Sequence, residues 1–118
     1  MREIAALEGP REPVRRMVAA FAERRERIVA ALNALPGLSC VRPGGGFYAF
    51  PNITATGLDA RTLQARLLDE AGVATIAGTS FGAFGEGYLR ISYAASLAAI
   101  GDAVERMGDL LSRVPAAA

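Results

Sequence analysis

Histidine and lysine are both missing from this 118-residue chain, and all 13 of its basic residues are arginine. Histidine is the commonest general base and metal ligand, and lysine is the usual residue that forms an imine with a carbonyl compound. Arginine stays protonated and takes none of these roles. The sequence therefore excludes a histidine base, a histidine metal site and a lysine imine within this chain.

Cysteine occurs only once, as Cys40 in the apolar run 38–41. A lone cysteine cannot form a disulfide within the chain, and its apolar neighbours predict a buried, unreactive thiol. No apolar run approaches the ~20 residues that a membrane helix needs. No signal-peptide pattern stands at Met1. We therefore expect a cytoplasmic chain with no membrane span.

Net charge is also small, at +1 for the whole chain. Arg24, Arg25 and Arg27 form a cluster that could indicate nucleic-acid binding, but Glu23 and Glu26 interrupt it. Interleaved charges of opposite sign favour a solvated helix face whose charges pair with one another. The sequence predicts no nucleic-acid partner.

The length and the 52% apolar content predict one globular domain, residues 1–118, with its own core. A start inside a short helical pattern suggests that the chain begins partway through a longer element. Asp59 and Ser96 are candidate N-caps, and Gly72 is a candidate helix end. Two stripes, Leu63/Leu67/Leu68 and Ile100/Val104/Met107/Leu110/Leu111, should be buried. The expected order is helix 1–7, helix 12–34, strand 38–41, strand 47–50, helix 59–71, strand 73–76 and strand 85–94, then a helix after Ser96.

These elements predict an α+β fold, in which a small, mostly antiparallel sheet carries helices mainly on one face. The two strands 38–41 and 47–50 are expected to form a hairpin across the glycines of 43–46. A phosphate cradle is the alternative for those glycines, but no helix follows to present its N-terminus, so the turn is favoured. The uncharged strand 73–76 is expected to be central or covered on both faces.

Arg90 is the unusual residue of the strand 85–94. Side chains alternate along a strand, so Leu89 and Ile91 point to one face and Arg90 to the other. A guanidinium is costly to bury unless an anion pairs with it, and it fits a carboxylate through two parallel N–H donors. From the residues alone, three alternatives stay open: a carboxylate of the protein, a ligand, or a partly exposed arginine at a sheet edge.

Several motifs in order resemble the C-terminal small domain of class I pyridoxal-phosphate-dependent aminotransferases, within the aspartate-aminotransferase-like group of fold type I. Residues 43–50 resemble the family's Pro-x-Gly-Ala-Phe-Tyr-x-Phe hairpin. Residues 72–82 resemble its Gly-Val-x-x-x-Pro-Gly-x-x-Phe-Gly loop, and 87–92 its Gly-x-x-Arg-x-Ser strand. Residues 6–10 and 21–25 resemble the passage from the interdomain helix into the small domain. The resemblance covers essentially the whole chain.

The resemblance implies that Arg90 binds the α-carboxylate of an amino acid or 2-oxo acid substrate. It implies that Ser80 and Phe81 line the same pocket. Phe47 would be either a wall of that pocket or part of the core, and both alternatives stay open. Residues 1–10 would be the end of an interdomain helix.

The same resemblance implies pyridoxal phosphate in the complete enzyme, a homodimer. The cofactor site and its lysine belong to a large domain with no counterpart here, so no catalytic or cofactor-binding residue is expected in this chain. The chain, as a fragment or truncated product, should be inactive alone. Ala77 and Gly46 depart from the family's proline and alanine and only loosen loops. The alternative function is a non-catalytic module that binds a carboxylate or a partner.

Overall fold

The structure is a computed structural model that describes residues 1–115. Within that range the elements are α1 (Arg2–Glu8), α2 (Glu12–Asn33), β1 (Tyr48–Ala49), α3 (Ala60–Ala71), β2 (Ile76–Ala77), β3 (Leu89–Ser92) and α4 (Leu97–Leu111). The helices and strands follow the expected order except that no strand forms at 38–41, and 3₁₀ turns stand between β1 and α3 and between β2 and β3.

The sheet is antiparallel throughout, with strand order β1-β3-β2. Tyr48 pairs with Ser92 on one side of β3, and Ile76 pairs with Arg90 on the other. The strand that carries Arg90 is therefore central, and an arginine at a sheet edge is ruled out. The predicted α+β class, with a small antiparallel sheet, is confirmed.

The helix boundaries follow the predicted caps. Asp59 accepts a 2.8 Å hydrogen bond from the backbone N–H of Thr62, and Ser96 accepts one of 3.1 Å from that of Ala99. These side chains satisfy N–H groups that have no partner inside the first helical turn. The end of α3 at Gly72, with φ +67°, is the left-handed cap that glycine favours.

The strand predicted at 73–76 is wrong in both extent and position, because β2 begins only at Ile76 and forms an edge of the sheet. The backbone N–H of Val73 donates to Leu67 O at 2.9 Å, beside the bond from Gly72 to Leu68 O. These two bonds close the end of α3. Residues 72–73 are thus engaged by the helix and not by the sheet.

The hairpin predicted between 38–41 and 47–50 is also wrong. Ser39 forms one antiparallel bridge, to Asn52, while β1 pairs with β3. The side chain of Asn33, at the end of α2, ties this segment to the helix instead. Its amide donates to Cys40 O at 3.0 Å and accepts from Cys40 N at 2.9 Å. Ser39 exchanges both of its backbone bonds with Asn52, so the backbone groups of Cys40 face the opposite side, where Asn33 satisfies them.

The core lies between the sheet and α2, α3 and α4. Leu63 and Leu67 are buried as predicted, but Leu68 is 56% exposed because it lies on the neighbouring face of α3. Burial raises the pKa of the Cys40 thiol, in line with the expected unreactive cysteine. The most buried large side chains of the core include Leu32, Ile53, Leu63, Leu67, Leu89, Tyr93, Met107 and Leu110.

The N-terminal region extends away from this core. Helix α1 has no buried residue, and α2 buries only Ile28 and Leu32, in its C-terminal half. None of the helices within residues 1–115 is long and apolar enough to cross a membrane.

Candidate functional site

Arg90 lies against two aromatic rings that different segments of the chain supply. Its guanidinium carbon is 4.2 Å from the ring centroid of Tyr48 and 4.5 Å from that of Phe81. Both distances lie within the range of attraction between a cation and an aromatic face. We call Tyr48 and Phe81 the aromatic seat of Arg90.

Strand register accounts for the Tyr48 contact. Tyr48 stands directly opposite Ser92, and Arg90 and Ser92 share one face of β3 because they are two residues apart. Arg90 and Tyr48 are therefore diagonal neighbours on that face, and long side chains reach one another at that spacing. Pattern analysis missed Tyr48, because only the register of β1 against β3 reveals it.

The Phe81 contact depends on a folded glycine-rich loop. A 3₁₀ turn at Gly78–Phe81 follows β2, and the backbone N–H of Gly78 donates to Tyr88 O at 2.8 Å. This bond holds the turn beside the start of β3, so Phe81 stands next to Arg90. Phe81 is 56% exposed and Phe84 is fully exposed.

No carboxylate within residues 1–115 lies within ion-pair distance of Arg90; the ion pairs of that part of the chain involve Met1, Arg25, Arg42, Arg66 and Arg106. Glu86 is the nearest acid along the sequence, but it points elsewhere. Its Oε1 accepts a 3.3 Å hydrogen bond from the backbone N–H of Ala60, at the start of α3. A half-buried guanidinium thus lies on two rings without an anion from the described chain.

The other predicted site residues are not all equally close to Arg90. Ser80 is exposed in the turn that ends at Phe81. Phe47 is one ring further away, because it packs on Tyr48 with centroids 4.4 Å apart. Phe47 is 41% exposed, so it is not part of the hydrophobic core of this chain.

Arg25 is a second arginine that sequence reasoning did not single out. Its side chain is only 18% exposed, so the expected solvated face does not include it. Phe21, Arg25, Ile28 and Leu32 recur at helical spacing, which places Arg25 on the inward stripe of α2. Helical spacing could have revealed this position.

The antiparallel sheet, its helical cover and the arginine on the central strand define a small α+β domain with a cationic site. The profile of the family "Aminotransferase class I and II" matches residues 4–107. The chain belongs to this family.

The relatives include aspartate aminotransferases of known sequence and structure. That of Geobacillus stearothermophilus is 46% identical over 109 residues, covering 88% of this chain and 27% of the relative. That of Pyrococcus horikoshii is 40% identical over 110 residues, covering 89% and 28%. The crystal structure of the Rhizobium meliloti enzyme superposes with a TM-score of 0.89 at 32% identity, covering 96% of this chain and 30% of that one. The chain therefore spans less than a third of these relatives.

Pyridoxal phosphate is the cofactor that this family implies for the complete enzyme. The donor groups of this chain do not fit it, because the sequence has no lysine to form the imine link and arginine cannot substitute. Within residues 1–115, no group of three or more cysteine, aspartate or glutamate side chains is placed to hold a metal ion.

Proposed function

We propose that this chain is the part of a pyridoxal-phosphate-dependent amino acid aminotransferase that binds the substrate's α-carboxylate through Arg90. The observation that carries the proposal is the state of Arg90: it lies on two aromatic rings and no acid of residues 1–115 neutralises it. An amino acid and the corresponding 2-oxo acid both carry a carboxylate beside the reacting carbon.

The aromatic seat favours this role on physical grounds. Guanidinium N–H bonds lie in the plane of the group, whereas rings stack on its flat faces. Stacking on Tyr48 and Phe81 leaves in-plane donors available for two parallel bonds to a carboxylate. The seat also limits the rotamers of Arg90, so less conformational freedom is lost on binding.

The remaining parts of the proposal follow the family. Residues 1–118 act as one small domain, and residues 1–10 are the end of an interdomain helix. A large domain outside this chain supplies the cofactor and its lysine, and a second subunit completes the homodimer. Phe81, Ser80 and, beyond Tyr48, Phe47 line the substrate pocket. The cytoplasmic location stays a prediction.

A chimera with a relative tests the proposal. The 109-residue stretch of the Geobacillus stearothermophilus aspartate aminotransferase that matches this chain is replaced by the chain itself. Arg90→Gln and Arg90→Lys are then compared with Arg61→Gln, which changes an exposed arginine of α3. Each variant is assayed with an amino acid donor and with the corresponding amine that lacks the carboxylate.

Loss of the charged pair should cost about 3–4 kcal/mol in the transition state, or roughly 10²–10³-fold in kcat/KM for the amino acid. The amine should be unaffected, and Arg61→Gln should be silent with both donors. Arg90→Lys should restore only part of the activity, because ammonium cannot form two parallel bonds. An Arg90→Gln chimera that discriminates between acid and amine as well as the parent would refute the proposal. An inactive chimera that still binds a 2-oxo acid through Arg90 would favour the non-catalytic module.

A further inference from the structure

A groove of about 410 Å³ lies between α2 and the glycine-rich segment that precedes β1. Met17, Phe21 and Arg25 line it from α2, and residues 44–47 line it from the opposite side. We call it the Arg25 groove. Arg90 is not among its lining residues, although the groove shares Phe47 with the pocket proposed above.

Arg25 is incompletely paired in this groove. Its Nε is buried without a hydrogen-bond partner in residues 1–115, and its Nη1 donates to Pro43 O over a long 3.5 Å. Glu26 Oε1 is 3.4 Å from that Nε, but the same oxygen accepts from Arg42 Nε at 2.7 Å and is 2.6 Å from Arg42 Nη2. The hydrogen bond from Arg42 is also the first cause that lowers the pKa of Glu26. Arg25 is therefore a largely buried cation that shares the carboxylate of Glu26 with Arg42, and a further anion would stabilise it.

The opposite wall is open backbone. A Cβ added to Gly44, Gly45 or Gly46 would meet nothing within 4 Å. Only Gly46, with φ +73°, needs glycine for its conformation. The amide N–H groups of these three residues donate to no other backbone group in the described chain. This wall can therefore accept the close approach of another main chain.

The apolar surface around the groove is longer than a small molecule needs. Met17 and Val18 are 53% and 59% exposed, and Val14, one turn earlier on α2, is 43% exposed. Beyond them lies α1, which buries no residue. Exposed apolar side chains on one helix face, here Val14, Met17 and Val18, are typical of contact with another polypeptide.

We propose that the Arg25 groove binds an extended polypeptide segment that carries an acidic side chain next to an apolar one. The carboxylate pairs with Arg25, the apolar side chain packs between Met17 and Phe47, and the main chain bonds to residues 44–46. The relatives are more than three times as long as this chain, so polypeptide outside these 118 residues is the source of the segment. The inference does not depend on the role of Arg90.

The test uses the ¹⁵N-labelled chain and the peptide acetyl-Leu-Glu-Leu-amide, with acetyl-Leu-Gln-Leu-amide as its neutral match. The arginine Nε–H signals of a proton–nitrogen spectrum report the pairing directly, and the signal lost in Arg25→Lys identifies Arg25. We expect the acidic peptide to shift the Arg25 Nε–H and the amides of Gly44, Gly45 and Gly46 saturably. The neutral peptide should bind at least tenfold more weakly.

Two further variants make the result specific. Arg25→Lys should weaken binding about tenfold, whereas Arg16→Lys, at an exposed position of the same helix, should leave it unchanged. Met17→Ser removes an exposed apolar side chain, keeps Arg25 intact, and should weaken binding several-fold even if Arg25→Lys unfolds. Equal affinity for the two peptides, or no shift at millimolar peptide, would overturn the proposal. Equal affinity for free hexanoate would also overturn it, since the groove would then be a small-molecule site.

Discussion

Removing the aromatic seat should weaken carboxylate binding without removing the charge that performs it. We consider Tyr48→Leu, Phe81→Leu and Tyr48→Phe in the chimera described above. A cation–ring contact contributes about 0.5–1 kcal/mol when exposed and about 2 kcal/mol when desolvated. Arg90 is half-buried and its carbon is within 4.5 Å of both centroids, so about 1 kcal/mol per ring is the appropriate magnitude.

About 1 kcal/mol corresponds to roughly fivefold in kcat/KM for the amino acid. Tyr48→Leu and Phe81→Leu should each cause that loss, and the double variant roughly 25-fold if the two rings act independently. Tyr48→Phe keeps the ring face and should lose less than twofold. Each variant should lose more activity with the amino acid than with the amine that lacks a carboxylate, because the rings support Arg90 and only the amino acid uses it.

The assay is steady-state kinetics with both donors, together with the midpoint of thermal unfolding for each variant. Similar midpoints ensure that a kinetic loss does not merely reflect unfolding. The reasoning is refuted if Tyr48→Phe is as impaired as Tyr48→Leu, since the hydroxyl and not the ring would then matter. It is also refuted if the amine loses as much activity as the amino acid.

Further predictions concern the chain by itself. With pyridoxal phosphate and amino acid donors it should form no keto acid above the background of the free cofactor, because it has no lysine; turnover by the pure chain would contradict this. Leu67→Ala should lower the free energy of unfolding, measured in urea, by about 2–5 kcal/mol. Leu68→Ala should lower it by less than about 0.5 kcal/mol, since only Leu67 is fully buried. Equal losses in the two variants would contradict the assignment of Leu67 to the core and of Leu68 to the surface. Hydrogen bonds from Thr62 lower the pKa of Asp59 in the folded chain, so this stabilisation is complete above the ordinary carboxyl pKa and is lost as the pH falls through and below it. Acid titration of Asp59→Asn should show less of that loss, and an unchanged acid limb would argue against the cap.

Local chemistry made the helices predictable. Asp59, Gly72 and Ser96 satisfy helix-end groups through residues within a few positions of one another, so their roles can be read from a short window. The alternation of Leu89, Arg90 and Ile91 is equally local and correctly separated the buried face of β3 from the face that carries Arg90.

Pairing between distant segments was not predictable in the same way. Asn33 satisfies both backbone groups of Cys40 across seven positions, although neither residue has a pattern that shows it. Tyr48 lies beside Arg90 only because β1 pairs with β3 in one particular register. A shift of one residue would turn Tyr48 to the other face. The chemistry of Arg90 could thus be inferred from the residue itself, whereas its surroundings required the fold.

A chain of aromatic contacts connects the two under-paired arginines. Tyr48 contacts Arg90 and packs on Phe47 with ring centroids 4.4 Å apart, and the Phe47 ring in turn lies 6.3 Å from that of Phe21, next to Arg25 in the groove. Phe47 is 41% exposed, so a segment bound in the Arg25 groove would cover part of it and restrict its ring. Because Phe47 precedes Tyr48 directly at the start of β1, restricting one ring also restricts the other. A polypeptide that fills the groove would therefore help to order the seat on which Arg90 meets a carboxylate.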